Sequence, residues 1–197
     1  MRNGFWSSLS CGVLLSLMGG AAQALPGQSV TEVTAWIQAH PTLDPASGET
    51  LLVRKTETPA QRFTFEASIT AVGRLTAVDR RDIIRVESIS LFDMVNGVSP
   101  SRLEESLEII YGPDLYQDYL QSSVIYRYPS PELLNQAENR NAPLRRFVQG
   151  EVRQGAQFAY WVETVQTPSG IPQNGQISVF LLEDLPKLTD ELEQRYQ

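Results

Sequence analysis

The chain has 197 residues, 42% of them hydrophobic, with 16 basic side chains against 23 acidic ones, one histidine and one cysteine. That length suits one ordinary domain, and the apolar fraction excludes a disordered tail protein. A net charge of −7 lacks the basic footprint that supplies most nucleic-acid affinity, so no nucleic-acid partner is expected.

Residues 1–24 read as a cleaved signal peptide. Arg2 supplies the positive start, Leu9 to Met18 an apolar stretch diluted by Ser and Gly, and Ala22-Gln23-Ala24 the small residues of a cleavage site. The apolar run is shorter than the roughly 20 residues that a membrane span needs, and no later segment has the length of a transmembrane helix. Cys11 precedes most of the apolar run, whereas a lipid-modified cysteine follows it. Residues 25–197 are then a single cysteine-free globular domain with 15 basic and 23 acidic residues. Its expected location is the periplasm or an equivalent extracytoplasmic compartment.

Residues 29–40 predict an amphipathic helix. Ser29 and Glu32 have capping-box spacing, Val30, Val33, Trp36, Ile37 and His40 form one stripe, and Pro41 stops it. A loop over 41–49 leads to a strand at 50–56. From Arg62 to Ala71 apolar residues alternate with polar ones, a period that puts Phe63, Phe65, Ala67, Ile69 and Ala71 on one buried face. A strand from Ile83 to Phe92 is apolar on both faces, as a central strand is. Asn96-Gly97 marks a turn, Ser99-Pro100 starts a helix, and Gly112-Pro113 ends it. A second helix over 114–121 follows at once, giving a bent pair.

The remainder returns to strands at 123–128, 145–153, 157–166 and 176–183, with a hairpin turn at Gln154-Gly155. Ser130-Pro131 is placed to open a short helix before the polar loop 138–143. A last helix, Pro186 to Tyr196, buries Leu188 and Leu192. The result is an α+β fold: a mainly antiparallel sheet of about seven strands with four or five helices packed on it. The strands leading to Pro100 and those leading to Pro186 echo each other faintly, as a weak internal duplication would.

Much chemistry is missing. The mature chain has no cysteine nucleophile and no cysteine-based zinc site, and its lone histidine, His40, sits on an apolar stripe where capping or packing is the ordinary role. No Gly-x-Ser-x-Gly elbow, Gly-x-Gly-x-x-Gly loop, Walker-type loop or calcium loop is present. No cofactor, catalytic residue or metal ligand is assigned.

Four constellations stand out. Five of the seven tyrosines fall between residues 111 and 128, and of these Tyr116 and Tyr119 are candidates for contacting a partner. Glu104, Glu108, Asp114 and Asp118 pair at four-residue steps, a spacing that a basic partner or a cation would relieve. Arg140, Arg145, Arg146 and Arg153 reverse the local charge, and the last three are candidates for contacting an anion. The loop 167–174 is uncharged, holds two prolines and presents Ile171, a third partner-contact candidate.

The leading expectation is an exported, non-catalytic accessory or assembly-type protein whose partner is another exported or membrane protein. The alternative is a small-ligand carrier with an apolar pocket under a curved sheet, walled by Phe158, Tyr160 and Trp161 and anchored by Arg146. A third is a hydrolase using Glu66 and Glu163, which needs two acids about 5–9.5 Å apart.

Overall fold

The computed structural model describes residues 25–73, 82–130, 147–168 and 170–196. The signal segment, the short helix expected after Ser130, the loop 138–143, and Arg140, Arg145 and Arg146 lie outside the described residues. The order is α1 (Val30–Ala39), β1 (Leu52–Thr58), β2 (Gln61–Ser68), β3 (Val86–Asp93), α2 (Pro100–Tyr111), α3 (Pro113–Gln121), β4 (Ser123–Tyr128), β5 (Val148–Gln154), β6 (Ala159–Gln166), β7 (Pro172–Phe180), a 3₁₀ turn (Leu182–Asp184) and α4 (Leu185–Tyr196). The strands form one seven-stranded sheet, ordered β1-β2-β3-β7-β6-β5-β4, with every neighbouring pair antiparallel. The expected α+β class is therefore the observed one.

Local signals explain most boundaries. The Ser29 hydroxyl accepts from the Glu32 N–H at 3.2 Å while Glu32 accepts from the Ser29 N–H at 2.9 Å, closing the box that starts α1. His40 ends that helix. Its Nδ1 accepts from the backbone N–H groups of Thr42 and Leu43, each at 3.2 Å, and its Nε2 lies 2.9 Å from the Ile110 carbonyl. The ring thus ties α1 to α2, a structural role. Gly112 (φ 79°) ends α2 and begins α3 in a conformation that a side chain would strain, so the two helices bend there.

Strand ends differ where local contacts intervene. β2 stops at Ser68 rather than 71, because the Ser68 hydroxyl takes the Thr70 N–H at 3.1 Å and turns the chain. β7 begins at Pro172, four residues earlier than its sequence suggests, since β6 pairs with it that far. In β4 the register shifts at Ile125, so Val124 faces Arg153 while Tyr126 faces Val152. The bulge breaks the single row of Val124, Tyr126 and Tyr128 that plain alternation implies.

The two faces of the sheet have different covers. One carries Phe65, Ala67, Ile89, Ile177, Val179, Tyr160 and Val162 and is packed by α1, α2 and α3. Trp36, Phe65 and Tyr111 join α1, β2 and α2 with ring centroids 6.0–6.4 Å apart. The other face carries Val86, Phe180, Ala159, Val152 and Tyr128 under Leu185, Leu188, Leu192 and Tyr196 of α4. Arg85 grips the turn before α4 through both oxygens of Asp184, at 2.7 and 3.0 Å, and through Glu183 at 2.6 Å. Because α2 and α4 follow β3 and β7 onto opposite faces, no two-fold axis relates the two halves. The echo in sequence does not become a symmetric duplication.

Glu87 is the exception in the first core. Its side chain is fully buried, Oε2 accepts from the Tyr111 hydroxyl at 2.7 Å, and Oε1 has no partner. Burial pushes its pKa from 4.5 up to about 7, against a smaller downward pull from Tyr111. The folded chain therefore holds a proton that the unfolded chain releases between these values. Stability is unaffected below about pH 4.5, falls as pH rises toward 7, and then levels at a loss of about 3 kcal/mol. Glu87→Gln is expected to raise the melting temperature at pH 8 and leave it little changed at pH 4.5. Thermal melts followed by circular dichroism across that range check this, and parallel curves for the two proteins would refute it.

Candidate functional site

The segment Asp93-Met94-Val95-Asn96-Gly97 places two apolar residues in a turn, where polar ones are usual. The turn is held from below. Asp93 is 1% exposed, and its Oδ1 accepts from the Val95 and Asn96 N–H groups at 2.9 and 2.8 Å. Its Oδ2 accepts from Arg102 at 2.7 Å and from Gln61 at 3.2 Å, and Arg102 also donates to the Gly97 carbonyl at 2.6 Å. The Asn96 N–H, the Arg102 guanidinium and the other donors hold the Asp93 carboxyl far below the ordinary carboxylate range despite its burial.

The loop between β6 and β7 lies against this turn. The Val98 N–H donates to the Pro172 carbonyl at 2.7 Å, and a Cβ on Gly97 would stand 2.8 Å from Ile171 Cγ2. Gly97 has φ 76°, so a side chain there would be excluded by backbone conformation as well as by Ile171. The β6–β7 loop is itself closed, with the Thr167 N–H and hydroxyl both donating to the Ile171 carbonyl, at 3.3 and 2.9 Å. The β1–β2 turn completes this end of the sheet, its Ala60 carbonyl accepting from the Met94 N–H at 3.0 Å. Met94, Val95 and Ile171 are nonetheless 56%, 71% and 57% exposed. Two pinned loops thus hold three large apolar side chains in solvent at one end of the sheet. The turn DMVNG, an acid two residues before an apolar one and then Asn-Gly, was the available signal for Met94 and Val95.

The other candidates are placed differently. Ile171 is at this tip, whereas Tyr116 and Tyr119 are on α3. Tyr119 is 2% exposed, and its ring packs edge-on against Tyr160 at 5.3 Å. It is a core residue. Tyr116 is half-buried and stacks on Tyr119 at 6.5 Å. A helical spacing of three puts both rings on one flank of α3, with Tyr119 inside the core and Tyr116 at its edge. Arg153, the described member of the anion-contact set, has its fork engaged already. It pairs with Glu151 at 2.6 Å, donates to the hydroxyl and carbonyl of Ser122 at 2.8 and 3.1 Å, and lies 5.0 Å from the Tyr119 ring centroid.

The acidic constellation is partly architectural. Glu104 accepts from the Tyr119 hydroxyl at 2.9 Å, and Asp118 accepts from the Tyr160 hydroxyl at 2.6 Å and from the Ala156 and Gln157 N–H groups at 2.9 and 3.2 Å. Each phenol pKa is raised, by burial first and then by its carboxylate. Among the described residues no three or more metal-ligating side chains converge.

Trp161 faces the side opposite Tyr160, so the two cannot wall one pocket. Glu66 and Glu163 share a face but sit three strand spacings apart, roughly 14 Å across the sheet. Glu163 moreover turns away from Glu66, accepting from the Tyr128 hydroxyl at 2.6 Å.

No protein-family model matches the chain, and no curated protein or solved structure matches it either.

The Asp93 network carries a pH signature. Its folded pKa lies below the unfolded value of 3.8, so its stabilisation is complete well above that value and is lost as pH falls through the folded one. Asp93→Asn is expected to lower the melting temperature at pH 7 and to speed amide exchange at Val95 and Asn96. Its deficit against the wild type should shrink steadily below pH 4. A deficit equal at pH 7 and pH 2 would refute the role.

Proposed function

We propose that this protein is an exported, non-catalytic accessory or assembly-type protein, and that the tip formed by Met94, Val95 and Ile171 docks another exported or membrane protein. The observation that carries this reading is the hydrogen-bond network that pins the tip beneath its exposed side chains. A buried carboxylate, a paired arginine and two closed loops hold apolar groups in water, which costs solubility and gains nothing inside the molecule. Groups held in their bound positions before contact lose little entropy on docking. The apolar segment and small-residue cleavage site of residues 1–24 support the export part of the reading.

Burying three such side chains contributes about 1.5–3 kcal/mol each before the costs of association. The test is capture with a photo-crosslinker at position 95 from the exported fraction, followed by affinity measurement on the partner recovered. Met94→Ser/Val95→Ser/Ile171→Ser is expected to keep the wild-type melting temperature and to bind that partner roughly 100-fold more weakly. Equal binding by the triple variant, or no stoichiometric partner at all, would overturn the reading. The exported form should begin at Leu25 by N-terminal sequencing; an intact Met1 in that fraction would count against export by cleavage.

A further inference from the structure

We propose that the part of the second sheet face that α4 does not cover binds a short oligosaccharide carrying a single terminal uronic acid, with Arg54 and Arg62 holding the carboxylate. One row of side chains crosses five strands on this face. Arg54 pairs with Thr64, Thr64 with Ser90, Ser90 with Gln176, and Gln176 with Glu163. The row runs about 19 Å across the sheet, four strand spacings. It floors a concavity of about 440 Å³, within the usual range of small-molecule sites.

The chemistry along the row changes from end to end. At one end stand two guanidinium groups. Among the described residues, Arg85, Arg102, Arg127, Arg153 and Arg195 each have a carboxylate within 4 Å, whereas Arg54 and Arg62 have none. Glu49 lies close enough to feel the charge of Arg54, but two neighbouring guanidinium groups with no carboxylate in direct contact offer a site to an outside anion. Arg62 is also positioned, its guanidinium lying 4.9 Å from the Phe92 ring centroid.

The middle of the row is hydroxyl and amide. Thr64, Ser90 and Gln176 each donate and accept, as the hydroxyl groups of a sugar do. Four residues along each strand, the row Val86, Phe180 and Ala159 is apolar under α4, and the row between, Glu66, Ser88, Ser178 and Trp161, marks the change from apolar to polar. The far end is Glu163, held by Tyr128 at 2.6 Å. Its carboxylate accepts hydrogen bonds and repels a second anion. The ligand that fits is therefore acidic at one end and neutral and hydroxylated along the rest, which a polyanion or a bare phosphate is not.

The test titrates the ¹⁵N-labelled chain with a glucuronic-acid-terminated trisaccharide, the matching neutral trisaccharide and inorganic phosphate. The acidic sugar is expected to give saturable amide shifts centred on residues 62–64, 88–92 and 174–176, with binding at least tenfold tighter than for the neutral sugar or for phosphate. Arg54→Gln and Arg62→Gln should each weaken it at least tenfold with unchanged melting temperature. No saturation at millimolar sugar, equal affinity for the neutral sugar, tighter binding of phosphate, or indifference to both substitutions would overturn the proposal. Because the site shares no residue with the Met94–Val95–Ile171 tip, its failure leaves partner docking untouched.

Discussion

Strands β3 and β7 meet along seven residue pairs, from Val86 and Phe180 to Phe92 and Asn174, and there the first three strands and the last four become one sheet. Ser88 and Ser178, whose hydroxyls lie 2.8 Å apart on this seam, are 90 residues apart in sequence. Closing so long a loop costs entropy before any contact repays it, and the repayment comes from both faces at once. Ile89 and Ile177 enter the core under α2, while Val86 and Phe180 enter the core under α4. A slip of one residue would reverse every one of these side chains, so the register is set by two cores that must agree.

The seam also decides where the apolar tip lies. β3 ends at Asp93 and β7 begins at Pro172, so antiparallel pairing brings the turn after one beside the loop before the other. Met94, Val95 and Ile171 converge for that reason alone. Further along the same pairing, Ser90 meets Gln176 and aligns polar side chains across the part of the second face that α4 does not cover. One pairing thus produces an apolar projection at the sheet end and a polar floor beside it.

A second theme is the use of acids inside an acidic protein. Tyr111, Tyr119, Tyr128 and Tyr160 each donate a phenol hydrogen bond to a carboxylate: Glu87, Glu104, Glu163 and Asp118 respectively. A buried phenol needs an acceptor, and a carboxylate near the core needs donors, so each group lowers the cost of placing the other. This explains why a tyrosine-rich segment and a run of acids occur together in one part of the chain. Glu87 is the incomplete case, with one oxygen unsatisfied, and so the one whose ionisation should tell on stability near neutral pH.

By itself the sequence determines the local grammar. Ser29 and Glu32 cap a helix, Phe63, Phe65 and Ala67 alternate onto one face, Ser99-Pro100 opens a helix and Gly112 bends it, because each signal acts within a few residues through backbone hydrogen bonds or side-chain period. The α+β class and the seven strands follow from those signals. Which strand lies beside which, that Tyr119 is core while Ile171 is surface, that Arg153 is already paired while Arg54 and Arg62 are not, and that Met94 and Val95 stand beside Ile171 are decided only in tertiary structure. Those outcomes depend on contacts between residues distant in the chain, and neither composition nor periodicity records a partner that arrives from 90 positions away.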